Sequence, residues 1–216
     1  MIVKENLLEV VNVTDANALV VEEHKDIFKD AVFFDLEHYV YKKPICIGVF
    51  GCCYYEEMNK SLVCTQYMIE NRRESVEILY LAQKYFEAMI MKGKKYIITF
   101  SGNNDFHVIN YLLDKFEIDF KILDHFNHVD LQKEYEKKFK ESIGLKALEK
   151  KFGIEREGEL ISGSNLAKTF SKVIKDKDYI VRMPSEKIDK ILQYNEQDVV
   201  NLFHIVLNWD TITTNS

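Results

Sequence analysis

Runs of apolar and β-branched residues predict three strands in the first third of the chain. They cover residues 31–37, 45–55 and 61–68, and the polar stretch 56–60 forms a turn between the last two. Because short links join them, consecutive strands are expected to pair side by side as an antiparallel meander. Residues 1–30 contain one short apolar stretch, and the pattern does not place them in the fold.

From residue 72 onward, apolar residues recur at steps of three and four, the period of an amphipathic helix. This pattern predicts a helix over 72–91 that ends at Gly93, a short buried strand over 96–100, and a second helix that opens at Asp105. The remaining predicted elements are a strand at 126–131 and helices at 131–139, at 145–152, after the cap residue Ser162 and from Pro184 onward. Their order predicts an α/β fold with a mixed central sheet, in which helices flank the three-strand meander and its added parallel strands.

Length and composition favour a single domain over residues 1–216, with 1–30 as an N-terminal extension. Hydrophobic residues make up 47% of the chain, enough for one sizeable core. The four cysteines lie in apolar stretches without Cys-x-x-Cys spacing, which predicts buried free thiols in a reducing compartment rather than a zinc site. No apolar segment is long enough to cross a membrane and no leader pattern is present, so we expect a cytoplasmic protein without a membrane partner.

Charge is distributed unevenly along the chain. The net charge is −6, from 29 basic and 35 acidic residues, which argues against a generic polyanion binder. Residues 131–182 nevertheless hold 13 Lys and Arg against 9 Asp and Glu, a net charge of +4 that leaves −10 for the rest. A basic segment on an acidic chain can steer a phosphate backbone toward a cluster of acids. Solvated helix faces would give the same count.

Four acids stand at the ends of predicted elements or interrupt an apolar helix. Asp35 and Glu37 alternate along a strand, so their side chains point to the same face. Asp105 follows the predicted strand 96–100, at a turn into a helix. In the last helix Tyr194 lies four residues before Asp198, so both project from one face. Two carboxylates at one spot repel unless a cation lies between them or one is protonated. Each acid alone can also be a cap, a surface residue or a salt-bridge partner.

Three short motifs carry a family resemblance that covers most of the chain. They are 34–37 (Phe-Asp-Leu-Glu), 99–105 (ending in Asn-Asn-Asp) and 194–198 (Tyr-Asn-Glu-Gln-Asp). Their spacing resembles the DEDD exonucleases of the ribonuclease H-like superfamily, in the subgroup with a tyrosine in its last motif. Within the superfamily, the chain most resembles the YprB-like ribonuclease H-like group, through residues 129–131, 145–149, 152–154 and 194–202. The second motif departs from the pattern, because Ser101 and Asn104 replace the usual asparagine and aromatic residue.

This resemblance implies a ribonuclease H-like fold and a metal-dependent 3′–5′ exonuclease that hydrolyses single-stranded DNA or RNA. Its implied ligands for two Mg²⁺ or Mn²⁺ ions are Asp35, Glu37, Asp105 and Asp198. Such hard cations prefer oxygen ligands and keep several waters. Tyr194 completes the implied catalytic set. It would orient the attacking water by a hydrogen bond, since an ordinary phenol titrates near pH 10.

Further candidates surround this set. Lys146, Lys150 and Lys151 are predicted to contact phosphates, and His107, like His38, lies beside a predicted ligand and can touch the substrate. A transition-metal site formed by His125, His128 and Asp130 is an alternative, although their spacing on a strand splits the two imidazoles between faces. A nucleic-acid-binding or scaffold domain with this fold and little or no turnover is the alternative function, favoured by the acidic net charge and the imperfect second motif.

Overall fold

The computed structural model describes residues 1–158 and 160–215, and its centre is one six-stranded sheet in the order β1-β4-β3-β2-β5-β6. The strands are β1 (Ile2–Glu9), β2 (Ala31–Tyr41), β3 (Lys43–Glu56), β4 (Ser61–Met68), β5 (Tyr96–Thr99) and β6 (Asn127–Asp130). β2, β3 and β4 form the predicted antiparallel meander, and β5 and β6 extend it in parallel. The predicted mixed sheet is therefore confirmed.

Six α-helices flank this sheet within the described residues. They are α1 (Glu74–Met91), α2 (Asn103–Lys115), α3 (Leu131–Phe139), α4 (Leu145–Lys151), α5 (Gly163–Lys175) and α6 (Ser185–Leu207). The predicted cap is present at α5, where the Ser162 hydroxyl accepts a hydrogen bond from the Asn165 amide at 3.3 Å. Pro184 precedes α6 as predicted. Two short 3₁₀ turns, Ile122–Asp124 and Trp209–Asn215, were not predicted.

Alternating side chains of β2 divide the buried apolar residues into two clusters, one on each face of the sheet. The front cluster includes Phe34, whose ring lies 5.6 Å from Phe86 of α1. The back cluster includes Phe33, whose ring lies 5.6 Å from Phe203 of α6. Asp35 and Glu37 have the same parity as Phe33, so β2 directs them to the face on which α6 packs.

Residues 1–30, which the pattern did not place, contribute a strand and part of the back cluster. β1 pairs with β4 in antiparallel register, from Ile2 opposite Met68 to Glu9 opposite Ser61. After β1 the chain crosses the back cluster, where five of its apolar residues are buried: Val10, Ala18, Leu19, Ile27 and Phe28. This segment therefore belongs to the same packed unit as the sheet.

The four cysteines are buried and free, as predicted. Cys46 and Cys52 belong to the front cluster, whereas Cys53 and Cys64 belong to the back cluster. Burial raises the pKa of the Cys46 thiol to about 12, and burial also raises the pKa of the Cys53 thiol well above its usual value. No helix among residues 1–158 and 160–215 has the length and apolar content that a membrane crossing requires.

Candidate active site

The first acidic pair lies on β2, beyond the point where β5 stops pairing with it. β5 is opposite β2 only from Ala31 to Phe33, so Asp35 and Glu37 follow at the free part of that edge. On its other side β2 still pairs with β3, with Asp35 opposite Gly51. A β-bulge follows directly, between Glu37 and His38, and re-aims the strand next to the acids.

α6 brings the third carboxylate to this pair. One carboxylate oxygen each from Asp35, Glu37 and Asp198 lies within 4.8 Å of the others. This is the one group of three or more possible metal-binding side chains found among the described residues. Glu37 and Asp198 are buried and Asp35 is partly buried. The predicted convergence of the first and third motifs is therefore observed in the geometry.

Asp105 lies beside this group, in the first turn of α2. It is buried, and the imidazole Nε2 of His38 is 3.6 Å from its Oδ1. The same Nε2 is 2.9 Å from the side-chain nitrogen Nδ2 of Asn104. The charge of Asp105 acts on Glu37, whose pKa it helps to raise. α2 therefore adds a fourth acid to the three from β2 and α6, and together they form what we call the acid cluster.

Burial and mutual repulsion raise the pKa values in the acid cluster. Burial is the largest cause for Asp35, whose pKa rises to about 7, and the Asp198 charge adds to it. The pKa values of Glu37 and Asp105 are raised well above their usual range, first by burial and then by Asp35 and Asp198. A cation would relieve this repulsion, because it favours the ionised form of each acid.

Two side-chain amides for which no role was predicted hold Asp35 in place, and we call them the amide chain. Asn195 of α6 donates a hydrogen bond from Nδ2 to Asp35 Oδ2 at 3.0 Å. Gln66 of β4 donates from Nε2 to Asn195 Oδ1 and to the Leu192 carbonyl, both at 2.8 Å. A Cβ on Gly51 would lie 2.1 Å from Asn195 Oδ1, so only glycine leaves room for this amide.

Two cations face Asp198 and cover the Tyr194 ring. Lys146 Nζ and an Arg156 nitrogen both donate to Asp198 Oδ1. The same two groups lie 4.6 Å and 5.2 Å from the centroid of the Tyr194 ring. Cations over an aromatic face attract its electrons, so the ring and Asp198 hold both side chains at one place. Neither the spacing nor the composition identified Arg156.

Arg156 is itself fixed by a buried glutamate. Its Nε donates to Glu149 Oε2 at 2.8 Å, and its NH2 nitrogen bonds both Glu149 and Asp198. Glu149 is only 2% exposed and also accepts from Asn201 Nδ2 at 3.1 Å. Burial alone would lower the pKa of Arg156, but its bonds to these two acids raise it above its usual value. The guanidinium is thus charged and held by three hydrogen bonds to Glu149 and Asp198.

Comparison with known families agrees with this arrangement. A family model for the RNase H superfamily matches residues 32–209. The chain belongs to the RNase H superfamily. No curated protein and no solved structure matches it significantly. Members of the RNase H superfamily are typically nucleases that use divalent metals, so the acid cluster of this member fits a hydrolase acting on nucleic acid.

Other predicted contacts of this RNase H superfamily chain lie outside the acid cluster. Lys151 Nζ donates to the Tyr135 hydroxyl at 2.6 Å and to Glu141 at 3.1 Å. Lys150 and His107 are exposed. Of the three predicted phosphate-binding lysines, only Lys146 lies at the acids, and phosphate contacts by Lys146, Lys150, Lys151 and His107 stay predictions.

The alternative transition-metal site is not formed among the described residues. His125 stacks on Phe120 with centroids 5.3 Å apart, and His128 Nε2 is 2.8 Å from the Thr99 hydroxyl. Asp130 instead caps α3, because its Oδ1 accepts from the Gln132 amide at 3.1 Å. That same oxygen accepts from the Ser101 amide at 2.9 Å and joins the end of β6 to the turn before α2.

Proposed function

We propose that this RNase H superfamily protein is a metal-dependent 3′–5′ exonuclease of single-stranded nucleic acid. The observation that carries the proposal is the approach of three carboxylates, from Asp35, Glu37 and Asp198, to within 4.8 Å of one another. Asp105 and Tyr194, the other two residues of the motifs, adjoin them. The 3′–5′ polarity and the single-stranded substrate rest on the resemblance of these motifs to the tyrosine subgroup of the DEDD exonucleases.

The donor set fits Mg²⁺ or Mn²⁺. Hard divalent cations take carboxylate oxygens, and the raised pKa values of Asp35, Glu37 and Asp105 mark a site where positive charge is favoured. These three acids and Asp198 would hold the ions. When bound, a pair of such ions activates a water and stabilises the departing oxygen of a phosphodiester.

The chain's own residues arrange the reactants around these acids. Burial raises the pKa of Tyr194 above its usual value, and the Asp198 charge raises it further, so the phenol stays protonated at neutral pH. It can therefore donate a hydrogen bond that orients a water, and it is a poor general base. Lys146 and Arg156 compensate the charge of Asp198 and offer positive charge to an entering phosphate.

A second candidate function is nucleic-acid binding or scaffolding with little or no turnover. The observation that favours it is the pairing of Asp198 with both Lys146 and Arg156, because two cations already neutralise this carboxylate without a metal. Under this alternative, the acids of the cluster would stabilise the fold. The two candidates differ in whether a phosphodiester is cleaved in the presence of Mg²⁺ or Mn²⁺.

The test is a time course of cleavage on single strands of DNA and RNA that carry a 5′ label. A 3′–5′ exonuclease shortens the label-bearing product one nucleotide at a time, and Asp35→Asn should abolish the ladder. Circular single strands have no ends, so they should resist. Cleavage of circles would show an endonuclease. Intact strands with both metals, from a protein that still binds them, would establish the scaffold alternative.

A further inference from the structure

Five exposed lysines lie in or next to a groove between α5 and the start of α6. Lys168, Lys172 and Lys175 recur along α5 at steps of four and three, so they share one helix face. Lys187 lines the groove from the first turn of α6, and Lys177, just after α5, lines an adjoining pocket that shares Lys175 with the groove. We call this surface, with Tyr179 at its centre, the basic groove.

The charges of the basic groove are not compensated by its own acids. None of these five lysines forms an ion pair within residues 1–158 and 160–215. Lys172 Nζ instead lies 5.5 Å from the centroid of the Tyr179 ring. Two acids line the groove, Glu186 and Asp176, and Asp176 is bonded by Arg182. On a chain with a net charge of −6, such a surface indicates a polyanionic ligand.

The basic groove adjoins a pocket beside the candidate active site, and the two share a lining residue. Lys190 of α6 lines the groove and also lines this pocket, which reaches Arg156 and Tyr194. Along α6, Lys187, Lys190, Tyr194 and Asp198 follow one another at steps of three and four, and so form one stripe. At 1.5 Å per residue, about 16 Å of helix separates Lys187 from Asp198. At its other end the groove continues past Lys175 to Arg72, Arg73 and Lys115.

We propose that the basic groove binds the sugar-phosphate backbone of a single-stranded nucleic acid whose end enters the acid cluster. The inference rests on the proposed function for the identity of that end. A flexible strand fits because lysines neutralise phosphates and an aromatic ring offers a surface for a base to stack upon. The proposed substrate path thus runs over α5 and α6.

The test compares two variants that remove the same charge. The groove triple replaces three lysines of the basic groove: Lys172→Gln, Lys175→Gln and Lys187→Gln. The distant triple replaces three exposed lysines elsewhere: Lys25→Gln, Lys43→Gln and Lys84→Gln. Binding of a labelled single strand is measured by fluorescence anisotropy in EDTA, at salt concentrations from about 50 to 200 mM. The melting temperatures of both variants show whether they remain folded. A Lys→Arg version of the groove triple keeps the positive charge and so tests whether charge alone is sufficient for binding.

We expect the groove triple to bind more than about tenfold more weakly, with a log–log salt slope shallower by about 2, because each lost phosphate contact contributes about 0.7. The Arg version and the distant triple should bind like the parent protein. Equal binding by the groove triple, or equal loss in the distant triple, overturns the proposal. So does displacement of the strand by polyglutamate as effectively as by unlabelled nucleic acid, since the groove would then select acidic polypeptides.

Cleavage of a dinucleotide, which reaches only the acid cluster, separates this inference from the proposed function. With Mn²⁺, the groove triple should cleave the dinucleotide at the parent rate and long strands with a raised KM. Should the parent cleave neither substrate while the groove triple still loses strand binding, the nuclease proposal fails and the groove stands. If the parent cleaves both substrates and the groove triple matches it on long strands, the groove proposal fails alone.

Discussion

The phenol of Tyr194 is the group whose role can be isolated with the smallest change. Tyr194→Phe removes one oxygen and keeps the ring on which Lys146 and Arg156 lie. We expect the chemical rate to fall by about 10² to 10⁴, because a hydrogen bond to the attacking water is lost. Strand binding should hardly change. Single-turnover rates and anisotropy on the same substrate measure both quantities.

Asp198→Asn is the matched control for this change, because it alters the acid cluster one helical turn away. Asp198→Asn should raise the Mg²⁺ concentration needed for half-maximal rate. Tyr194→Phe should leave that concentration unchanged. Parent-like cleavage by Tyr194→Phe, together with an inactive Asp198→Asn, would make the tyrosine a packing residue and leave the metal ligands unaffected.

Asp35 should make the metal-free protein less stable as pH rises. Its pKa is about 7 when folded and 3.8 in an ordinary setting, so in this interval the folded state holds more protons than the unfolded chain. The free energy of unfolding therefore falls as pH rises from about 4 to about 7. Asp35→Asn should melt above the parent at pH 8 in EDTA, and the advantage should vanish near pH 4. An advantage of the same size at both pH values would contradict the raised pKa.

At this scale the sequence revealed the acids but not the residues that hold them. Two pairs of site residues were predictable from local periods. Asp35 and Glu37 share one face of a strand, and Tyr194 and Asp198 share one face of a helix. Gln66 and Asn195 form one hydrogen-bonded unit across 129 positions, and no local pattern relates them. Asn195 is fully buried in α6, where the polar Asp198 and Asn201 are also buried, and a buried amide requires a hydrogen-bonding partner.

Among the elements, β1 was not predicted because some of its apolar side chains are exposed while polar ones face the protein. The apolar Val3 and Leu7 are 57% and 70% exposed, whereas the polar Asn6 faces inward. Asn6 and Lys4 both reach Glu196 of α6, the latter at 3.8 Å. Binary patterning assumes that apolar side chains mark the packed face, and here a polar contact to a helix takes that place.

β3 has no room for a side chain at Gly51, so a substitution there tests whether Asn195 must contact Asp35. Gly51→Ala should force Asn195 away from Asp35, because the new Cβ would lie 2.1 Å from a fully buried amide oxygen. We expect a loss of about 1–3 kcal/mol in the free energy of unfolding, typical of overpacking, together with reduced cleavage.

The double variant Gly51→Ala with Asn195→Ala provides the control for this clash. Removing the amide makes room for the methyl group, so the two changes should destabilise less than additively in urea unfolding. Activity should stay low, since Asp35 has lost its donor. Strict additivity would mean that the clash is relieved elsewhere and that β3 does not constrain Asn195.

For the whole molecule, divalent metal should act as a stabilising ligand, because the acid cluster joins β2, α2 and α6. Mg²⁺ or Mn²⁺ at 100 times its Kd adds about 2.7 kcal/mol. Each kcal/mol raises the melting temperature of a chain of this size by about 2–4 °C. Glu37→Gln should lose most of this shift, and K⁺ at matched ionic strength should produce none. A shift that survives in Glu37→Gln would place the metal elsewhere.

The overall architecture was predictable because β2 to β6 and the six helices follow local periods. The position of β1 at the edge of the sheet was not predictable, because a strand with polar side chains on its packed face lacks the apolar alternation that identifies a strand.

The distribution of the cysteines gives the folded protein two sets of built-in chemical reporters. Cys46 and Cys52 lie in the front cluster, and Cys53 and Cys64 in the back cluster. All four are shielded from solvent, so an alkylating reagent can modify a thiol only when its side of the sheet opens. Peptide mass spectrometry after timed exposure to iodoacetamide would therefore show which of the two clusters, front or back, opens first. Simultaneous modification of all four thiols would mean that the two halves open as a single cooperative unit.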